Sequence, residues 1–459
     1  MLRLTYENAI TVSAWASLVN ATSDELVAFI NAQWPWLIIA TPLVIAGCFV
    51  PAPRLPWHWR KLVAMLLCSA FVALSLLTPL PAEEEDDYIR RRLALGAPKK
   101  LITAELVLKK AAAHLPVFDS MIGLIQTTSF IAGRNAPAEG AWEEVHQEGP
   151  AANLLVVVIG ESLRADHLSV YGYPRNTTPG LKAAADRITV YPRAYSAGTN
   201  TWNSLPVAFT KYSHTTDMSL SFVTLAQAAG YKTHWLSNQT ANDEWGLAVS
   251  MAARQADSHM FLPAGKPTYP KDGELLPYFE DIVAARTAGE KTMIVLHLYG
   301  SHSNFADRYP PDFDFFKAIG KKRIDQKIAR YDNSIRYTDS VLTKVIGTTE
   351  RANGAFLFFA DHGLRAANSK FPLMHDISQK TAIDSLHVPL ILAGQHQDRL
   401  STKQVYSLFF FECLFSAWSG ISAAQLIDDD YCSAKLSATQ IQYMKPDLTV
   451  GKAQPPANP

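Results

Sequence analysis

The sequence predicts an α/β sandwich on a mostly parallel central sheet, preceded by an α-helical membrane anchor of two transmembrane helices. Three observations carry this expectation. Apolar runs of strand length recur at 154–159, 293–298 and 356–359, each closing on a polar cluster. Helical stretches at 221–229 and 323–346 lie between them, the alternation expected when helices cover both faces of a sheet. Far upstream, 34–50 and 62–80 contain no charged residue, and each is close to the ~20 residues a helix needs to cross a bilayer.

Composition narrows the function classes. At 459 residues the chain can hold one large domain or two ordinary ones. Its formal net charge is zero, so no global field points to nucleic acid or to an acidic partner. Four cysteines are too few for a disulfide framework and lack zinc-ribbon spacing. Cys48 and Cys68 fall in the apolar spans, whereas Cys413 and Cys432 could pair in an oxidising compartment.

Residues 1–82 read as the membrane region. A helix start at 21–26, with Thr22 or Ser23 as N-cap, suits a helix lying on the bilayer. Trp34, Trp36, Trp57 and Trp59 flank the spans where amphipathic rings settle, and Pro51, Pro53 and Pro56 stop the helices. The intervening loop carries Arg54, Arg60 and Lys61, while Glu83, Glu84, Glu85, Asp86 and Asp87 follow the second span. The positive-inside rule makes that loop cytoplasmic and puts both chain ends outside. No signal peptide precedes the first span: either the first segment crosses by itself or upstream spans are missing from this chain, and the second is the expectation. Residues 83–150 form a charged amphipathic connector with helical stretches at 101–110 and 116–130; a solvated linker is the alternative for 131–150. Residues 151–459 form the globular domain, in which further strand runs at 233–237 and 388–392 join the first three.

The chemistry gathers where the strand runs end. The first closes on Gly160-Glu161-Ser162, the second on Gly300-Ser301-His302 and the third on Asp361-His362-Gly363. In such a domain the carboxyl ends of parallel strands share one edge, where ligands collect. Glu161, His302, Asp361 and His362 could therefore be neighbours despite their separation in sequence. Taken singly, a Glu after a strand is often a helix N-terminal residue and an Asp-His pair is often a solvated turn. Together, carboxylates and imidazoles are what a borderline divalent cation such as zinc recruits. His297, inside its strand run, reads as a core histidine rather than a ligand.

Longer motifs carry a resemblance. Val158-Ile159-Gly160-Glu161-Ser162-Leu163-Arg164-Ala165-Asp166-His167, followed by Tyr171-Gly172-Tyr173-Pro174-Arg175-Asn176-Thr177-Thr178-Pro179, resembles the opening motif of the bacterial phosphoethanolamine transferases. Ser196-Ala197-Gly198-Thr199-Asn200-Thr201, Leu296-His297-Leu298-Tyr299-Gly300-Ser301-His302, Tyr331-Asp332-Asn333-Ser334, Asp361-His362-Gly363 and His375 follow in the family's order. The resemblance implies an alkaline-phosphatase-like, sulfatase-type catalytic domain in the periplasm, held by a multi-pass anchor in the bacterial inner membrane. It implies a zinc ion on Glu161, Thr201, Asp361 and His362, with Thr201 as nucleophile. Zinc or a base must activate such a hydroxyl. His302 and His375 would hold the phosphoryl group or a second metal and protonate the leaving group, and Asn238 would help bind the ethanolamine phosphate. Phosphatidylethanolamine would be the donor, and the acceptor a lipopolysaccharide core heptose, lipid A or a periplasmic glucan.

The chain departs from the family pattern at several places. Leu364-Arg365 stands where Glu-Ser usually follows Asp-His-Gly, Ala197 replaces a cysteine of lipid A-modifying members, and two spans stand where five are usual. The few cysteines and Trp235-Leu236-Ser237-Asn238-Gln239 favour a core heptose or glucan acceptor over lipid A. Rival readings are a phosphoglycerol transferase, sulfatase or phosphodiesterase of the same fold, or a noncatalytic binder. Ser204-Leu205-Pro206-Val207-Ala208 has the Ser and Pro of the sulfatase pattern C/S-x-P-x-R but lacks its Arg.

Overall fold

The computed structural model describes residues 141–212, 218–239, 248–262, 270–369, 372–376, 381–447 and 449–456. The strand runs become one seven-stranded sheet: β1 (Leu154–Gly160), β2 (Ile188–Val190), β3 (Lys232–Ser237), β4 (Ser258–Phe261), β5 (Thr292–His297), β6 (Ala355–Ala360) and β7 (Leu390–Gly394). Their order is β2-β7-β6-β1-β5-β3-β4. Every pairing from β6 to β4 is parallel, whereas β7 runs antiparallel to both β6 and β2. The sheet is thus mostly parallel, as the alternation predicts, and the 388–392 run supplies the one reversed strand. Neither β2 nor β4 announces itself in the sequence. One is three residues long, and the other opens on two exposed positions, so neither forms a continuous apolar run.

Seven helices matter for the site: α1 (Pro179–Ala183), α2 (Thr201–Phe209), α3 (Phe222–Ala228), α4 (Ala248–Gln255), α5 (Leu276–Ala285), α6 (Arg323–Arg351) and α7 (Phe411–Ser419). Ser221 caps α3 by accepting from Thr224 N, matching the start at 221. The helix predicted over 323–346 continues to Arg351 and stops where Asn353 turns to φ 50°. All of β1 is buried, as a central parallel strand covered on both faces must be. Aromatic contacts bind the helices to the sheet. Phe359 of β6 lies 4.5 Å from Phe411 of α7, Phe411 lies 5.5 Å from Phe222 of α3, and Phe209 at the end of α2 meets Phe222 at 5.4 Å and Trp235 of β3 at 5.7 Å. Each such pair adds roughly 0.5–1.5 kcal/mol beyond the area it buries, and the chain of contacts fixes where α2 presents its first residue.

Helix α6 braces the loops at the sheet edge. Tyr331 Oη donates to Ser162 O at 2.8 Å and accepts from Arg164 N at 3.0 Å. Buried Asp332 gathers Arg175 at 2.7 Å, His167 at 3.0 Å and Tyr173 at 3.1 Å. Ser334 Oγ donates to Ser301 Oγ at 2.9 Å, and Asp339 accepts from Gly180 N and Leu181 N at the start of α1. The motif stretches 164–179 and 331–334 are therefore two halves of one polar brace.

The folded body extends upstream of residue 151. Trp142 Nε1 donates to Ser221 O, and His146–Gln147 pairs antiparallel with Ile421–Ser422. At the other end, Cys413 and Cys432 form a disulfide that joins α7 to the short helix Tyr431–Leu436. Among the described residues no helix is long and apolar enough to cross a membrane. The expected spans at 34–50 and 62–80, the surface helix before them and the connector helices at 101–110 and 116–130 lie outside the described residues.

Two stability predictions follow from this C-terminal corner. The disulfide closes a loop across a sequence separation of 19; Cys413→Ser should cost about 3 kcal/mol, read as a lower denaturation midpoint. Beside it, buried Glu412 accepts from Tyr431 Oη at 2.9 Å, and burial pushes its carboxyl from 4.5 up to about 8. The folded state therefore holds a proton that the unfolded state releases. That contribution is whole below pH 4.5 and is lost as the pH rises to 8. Denaturation midpoints across this window should fall for the wild type relative to Glu412→Gln.

Candidate metal centre and nucleophile

Strands β1 and β6 are parallel neighbours with Gly160 opposite Ala360, so Glu161 and Asp361 leave the sheet side by side. Helix α2 delivers Thr201 to the same point. Asn200 caps it by accepting from Asn203 N, and Asn203 answers with its own side chain on Asn200 N. Gly198 admits this box because a Cβ there would lie 2.2 Å from Asn203 Oδ1. Thr201 thus occupies a helix N-terminus, where unpaired amides and the helix dipole favour an anion.

The four groups converge. Thr201 Oγ lies 2.8 Å from Asp361 Oδ2, 3.1 Å from Glu161 Oε2 and 3.4 Å from His362 Nε2. His362 Nε2 is 3.2 Å from Glu161 Oε1 and 3.4 Å from Asp361 Oδ2. Its Nδ1 sits 2.7 Å from Gly363 O; a carbonyl can only accept, so Nδ1 carries the proton and Nε2 faces the carboxylates. Asp361 divides its oxygens. Oδ1 accepts from Ser162 N and His362 N, leaving Oδ2 for Thr201.

Burial makes this cluster electrostatically expensive. Glu161, Asp361 and His362 are all essentially inaccessible. Burial and then the nearby Glu161 charge push the Asp361 carboxyl up to about 8. Burial would also raise Glu161, but the hydrogen bond and charge of His362 win and hold it well below the usual carboxylate range. Burial opposes the charge on His362, yet Asp361 and Glu161 lift it to about 9. Two carboxylates, an imidazole and a hydroxyl packed this closely form a donor set that a divalent cation fits.

A second group shares Glu161. Ligand atoms of Glu161, His302 and His375 lie within 4.8 Å of one another. The His375 ring is 4.8 Å from that of His362 and 6.1 Å from that of His302. His302 stacks on Tyr299 at 5.1 Å, and the Arg308 guanidinium lies 4.0 Å over the same tyrosine. The departure at Leu364-Arg365 serves the His375 segment: Arg365 exchanges backbone hydrogen bonds with Met374 and Leu373, and its guanidinium meets buried Asp376 at 3.3 Å. Arg164 donates to Leu364 O.

Asn238 is buried, with Nδ2 donating to Asp272 at 2.8 Å and to Pro270 O at 3.2 Å. Asp272 also accepts from Tyr299 N at 2.7 Å and Gly300 N at 2.9 Å. It therefore fixes the turn that carries His302. Gly300 adopts φ 48°, and a Cβ there would come within 2.9 Å of Glu161 N and O. Gln239 Nε2 reaches Glu161 Oε2 at 3.3 Å, and Ser162 Oγ donates to Glu161 Oε1 at 2.6 Å. Asp272, Gln239, Ser162 and Gly300 are the residues sequence reasoning missed as supports, although Ser162 and Gly300 stand in the clusters that close the strand runs and Gln239 ends the 235–239 stretch. His297 is a buried histidine pushed down to about 4 by burial. Ser204 is buried and donates to Asp361 O at 2.5 Å, which occupies the hydroxyl that a sulfatase-type reading would need free.

Comparison with known proteins follows the same lines. The sequence matches the family described as Sulfatase over residues 153–421. The phosphoethanolamine transferase EptC of Escherichia coli (strain K12) is 28% identical over 334 residues, covering 67% of this chain and 55% of that protein. The chain spans about half the length of the curated relatives it matches. The crystal structure of the C-terminal periplasmic domain of E. coli EptC superposes with TM-score 0.60 at 23% identity, over 69% of this chain and 96% of that one. The integral membrane lipooligosaccharide phosphoethanolamine transferase A of Neisseria meningitidis gives TM-score 0.66 at 19% identity, over 92% and 81%. At these identities the likeness shows a shared fold alone.

The geometry at Gly300 is directly testable. Gly300→Ala places a methyl group against the Glu161 backbone in a left-handed conformation, so activity should fall at least about tenfold, while far-UV circular dichroism stays native because strain of roughly 1–3 kcal/mol is local.

Proposed function

The chain belongs to the Sulfatase family, and from that premise we propose that it is a metal-dependent transferase moving phosphoethanolamine from phosphatidylethanolamine to a cell-envelope acceptor. The observation that carries this reading is Thr201 Oγ, set at a helix N-terminus between two buried carboxylates with His302 and His375 alongside. Its curated relatives include proteins named as phosphoethanolamine transferases.

Glu161, Thr201, Asp361 and His362 would hold zinc, which when bound neutralises the carboxylates and lowers the pKa of a ligated hydroxyl. The Thr201 oxygen attacks the lipid phosphorus, forming an Oγ–P bond as the phosphorus–glycerol oxygen bond breaks. Diacylglycerol departs as the alcohol, taking a proton from the His302–His375 pair, while Thr201 passes its own to Asp361 Oδ2, 2.8 Å away. The helix N-terminus receives the negative charge of the phosphoryl oxygens. An acceptor hydroxyl then reverses the first step, and Thr201 regains its proton. Asn238, braced by Asp272, would help bind the ethanolamine phosphate. Spans at 34–50 and 62–80 would keep the domain at the inner membrane with its active edge in the periplasm. A core heptose or glucan acceptor remains the favoured class, because Ala197 stands before the nucleophile.

The test is headgroup partition. The full chain, incubated with zinc and vesicles of ethanolamine-labelled phosphatidylethanolamine, should yield diacylglycerol and label on an added lipopolysaccharide or glucan acceptor. Release of a sulfate ester's sulfate, with no movement of the lipid label, would sink the proposal. Chelation should abolish transfer and zinc should restore it, with bound metal counted in parallel. His375→Ala should lower kcat by about 10²–10⁴-fold, the span expected of a lost proton donor.

A further inference from the structure

The loop between β5 and α6 begins at the candidate centre with His302 and ends in an apolar and basic patch that the catalytic reading does not use. Ile319 is 87% exposed and Phe315 is 53% exposed, the two most exposed large apolar side chains among the described residues. Lys317, Lys321, Lys322 and Arg323 are exposed around them. The patch is held out by a braced loop. Asn333 of α6 accepts from Phe316 N at 2.8 Å and donates to Asp314 at 2.8 Å, Phe313 packs on Tyr337 at 5.0 Å, and the Arg336 guanidinium lies 4.1 Å over the Phe315 ring. Of the nearby acids, Asp314 takes Lys317 and Asn333, Asp325 accepts from Lys322 N, and Asp312 is exposed. Among the described residues Lys321, Lys322 and Arg323 form no ion pair, and all three face solvent.

Apolar tips ringed by lysine and arginine are complementary to an anionic bilayer, whose headgroups take the cations while the acyl boundary takes the tips. The 140 residues preceding Ala141 contain the two charge-free runs at 34–50 and 62–80, which, as the expected membrane spans, would bring a bilayer within reach. We propose that residues 315–323 dock on the anionic phospholipid surface, with Phe315 and Ile319 entering it, and so set the height of the His302 loop above the lipid headgroups. The inference rests on the lipid-headgroup reading above.

Photolabelling of the full chain tests it. The protein is reconstituted in vesicles of phosphatidylethanolamine and phosphatidylglycerol containing a phospholipid with a shallow diazirine, and labelled peptides are read by mass spectrometry. Peptides covering 315–323 should carry lipid. The label should fall severalfold in Phe315→Ser/Ile319→Ser, in Lys321→Glu/Lys322→Glu, and when phosphatidylcholine replaces phosphatidylglycerol. Unlabelled 315–323 peptides alongside labelled 34–50 peptides would overturn the proposal. So would zero-length cross-links from Lys321 or Lys322 to residues 1–133 or to a second copy. Labelling does not require turnover: an inactive protein that labels contradicts only the transferase reading, and an active one that does not label contradicts only the docking.

Discussion

The structure depends on one costly arrangement, two buried carboxylates held around a single hydroxyl oxygen. Glu161 and Asp361 cannot both ionise comfortably at this separation in a dry site, and the raised Asp361 carboxyl reports that conflict. Such clusters concentrate where a cation or a reaction uses them. The surrounding elements can be understood as means of preventing the cluster from relaxing. Parallel pairing of β1 with β6 sets the spacing of the two carboxylates. Backbone amides of Ser162 and His362 occupy one Asp361 oxygen and aim the other at Thr201.

The brace behind the site is polar and almost wholly buried, so its own members must be satisfied. Tyr331 and Ser334 tie α6 to the loops that follow β1 and β5. Asp272 closes the other side, and it is itself pushed up by burial despite three hydrogen bonds. Loss of one such member leaves several buried donors unpaired, which is why a residue remote from any phosphoryl group can govern the position of Glu161 and His302.

Much of the fold was legible because it rests on local signals. Three apolar runs ending in Glu161, His302 and Asp361-His362 place those residues at one edge once the strands are parallel, and the structure does bring them together with Thr201 and His375. The start of α3 at its Ser221 cap was equally local. What escaped the sequence depends on distant partners. Asp272 lies in a polar turn, Lys271-Asp272-Gly273, and its meaning comes from Asn238 and Gly300. Gln239 is read as a support only when Glu161 is seen beside it. β4 opens on Ser258 and His259, so its pairing with β3 leaves no apolar pattern. Trp142 looked like part of a linker because its partner, Ser221, is far along the chain.

Intact mass spectrometry puts the proposed nucleophile, Thr201, to the test. After incubation of the full chain with zinc and phosphatidylethanolamine and rapid acid quench, the wild type should gain the mass of one phosphoethanolamine group, with Thr201→Ala gaining none. Equal gain in both proteins, or headgroup transfer by Thr201→Ala at the wild-type rate, would contradict it.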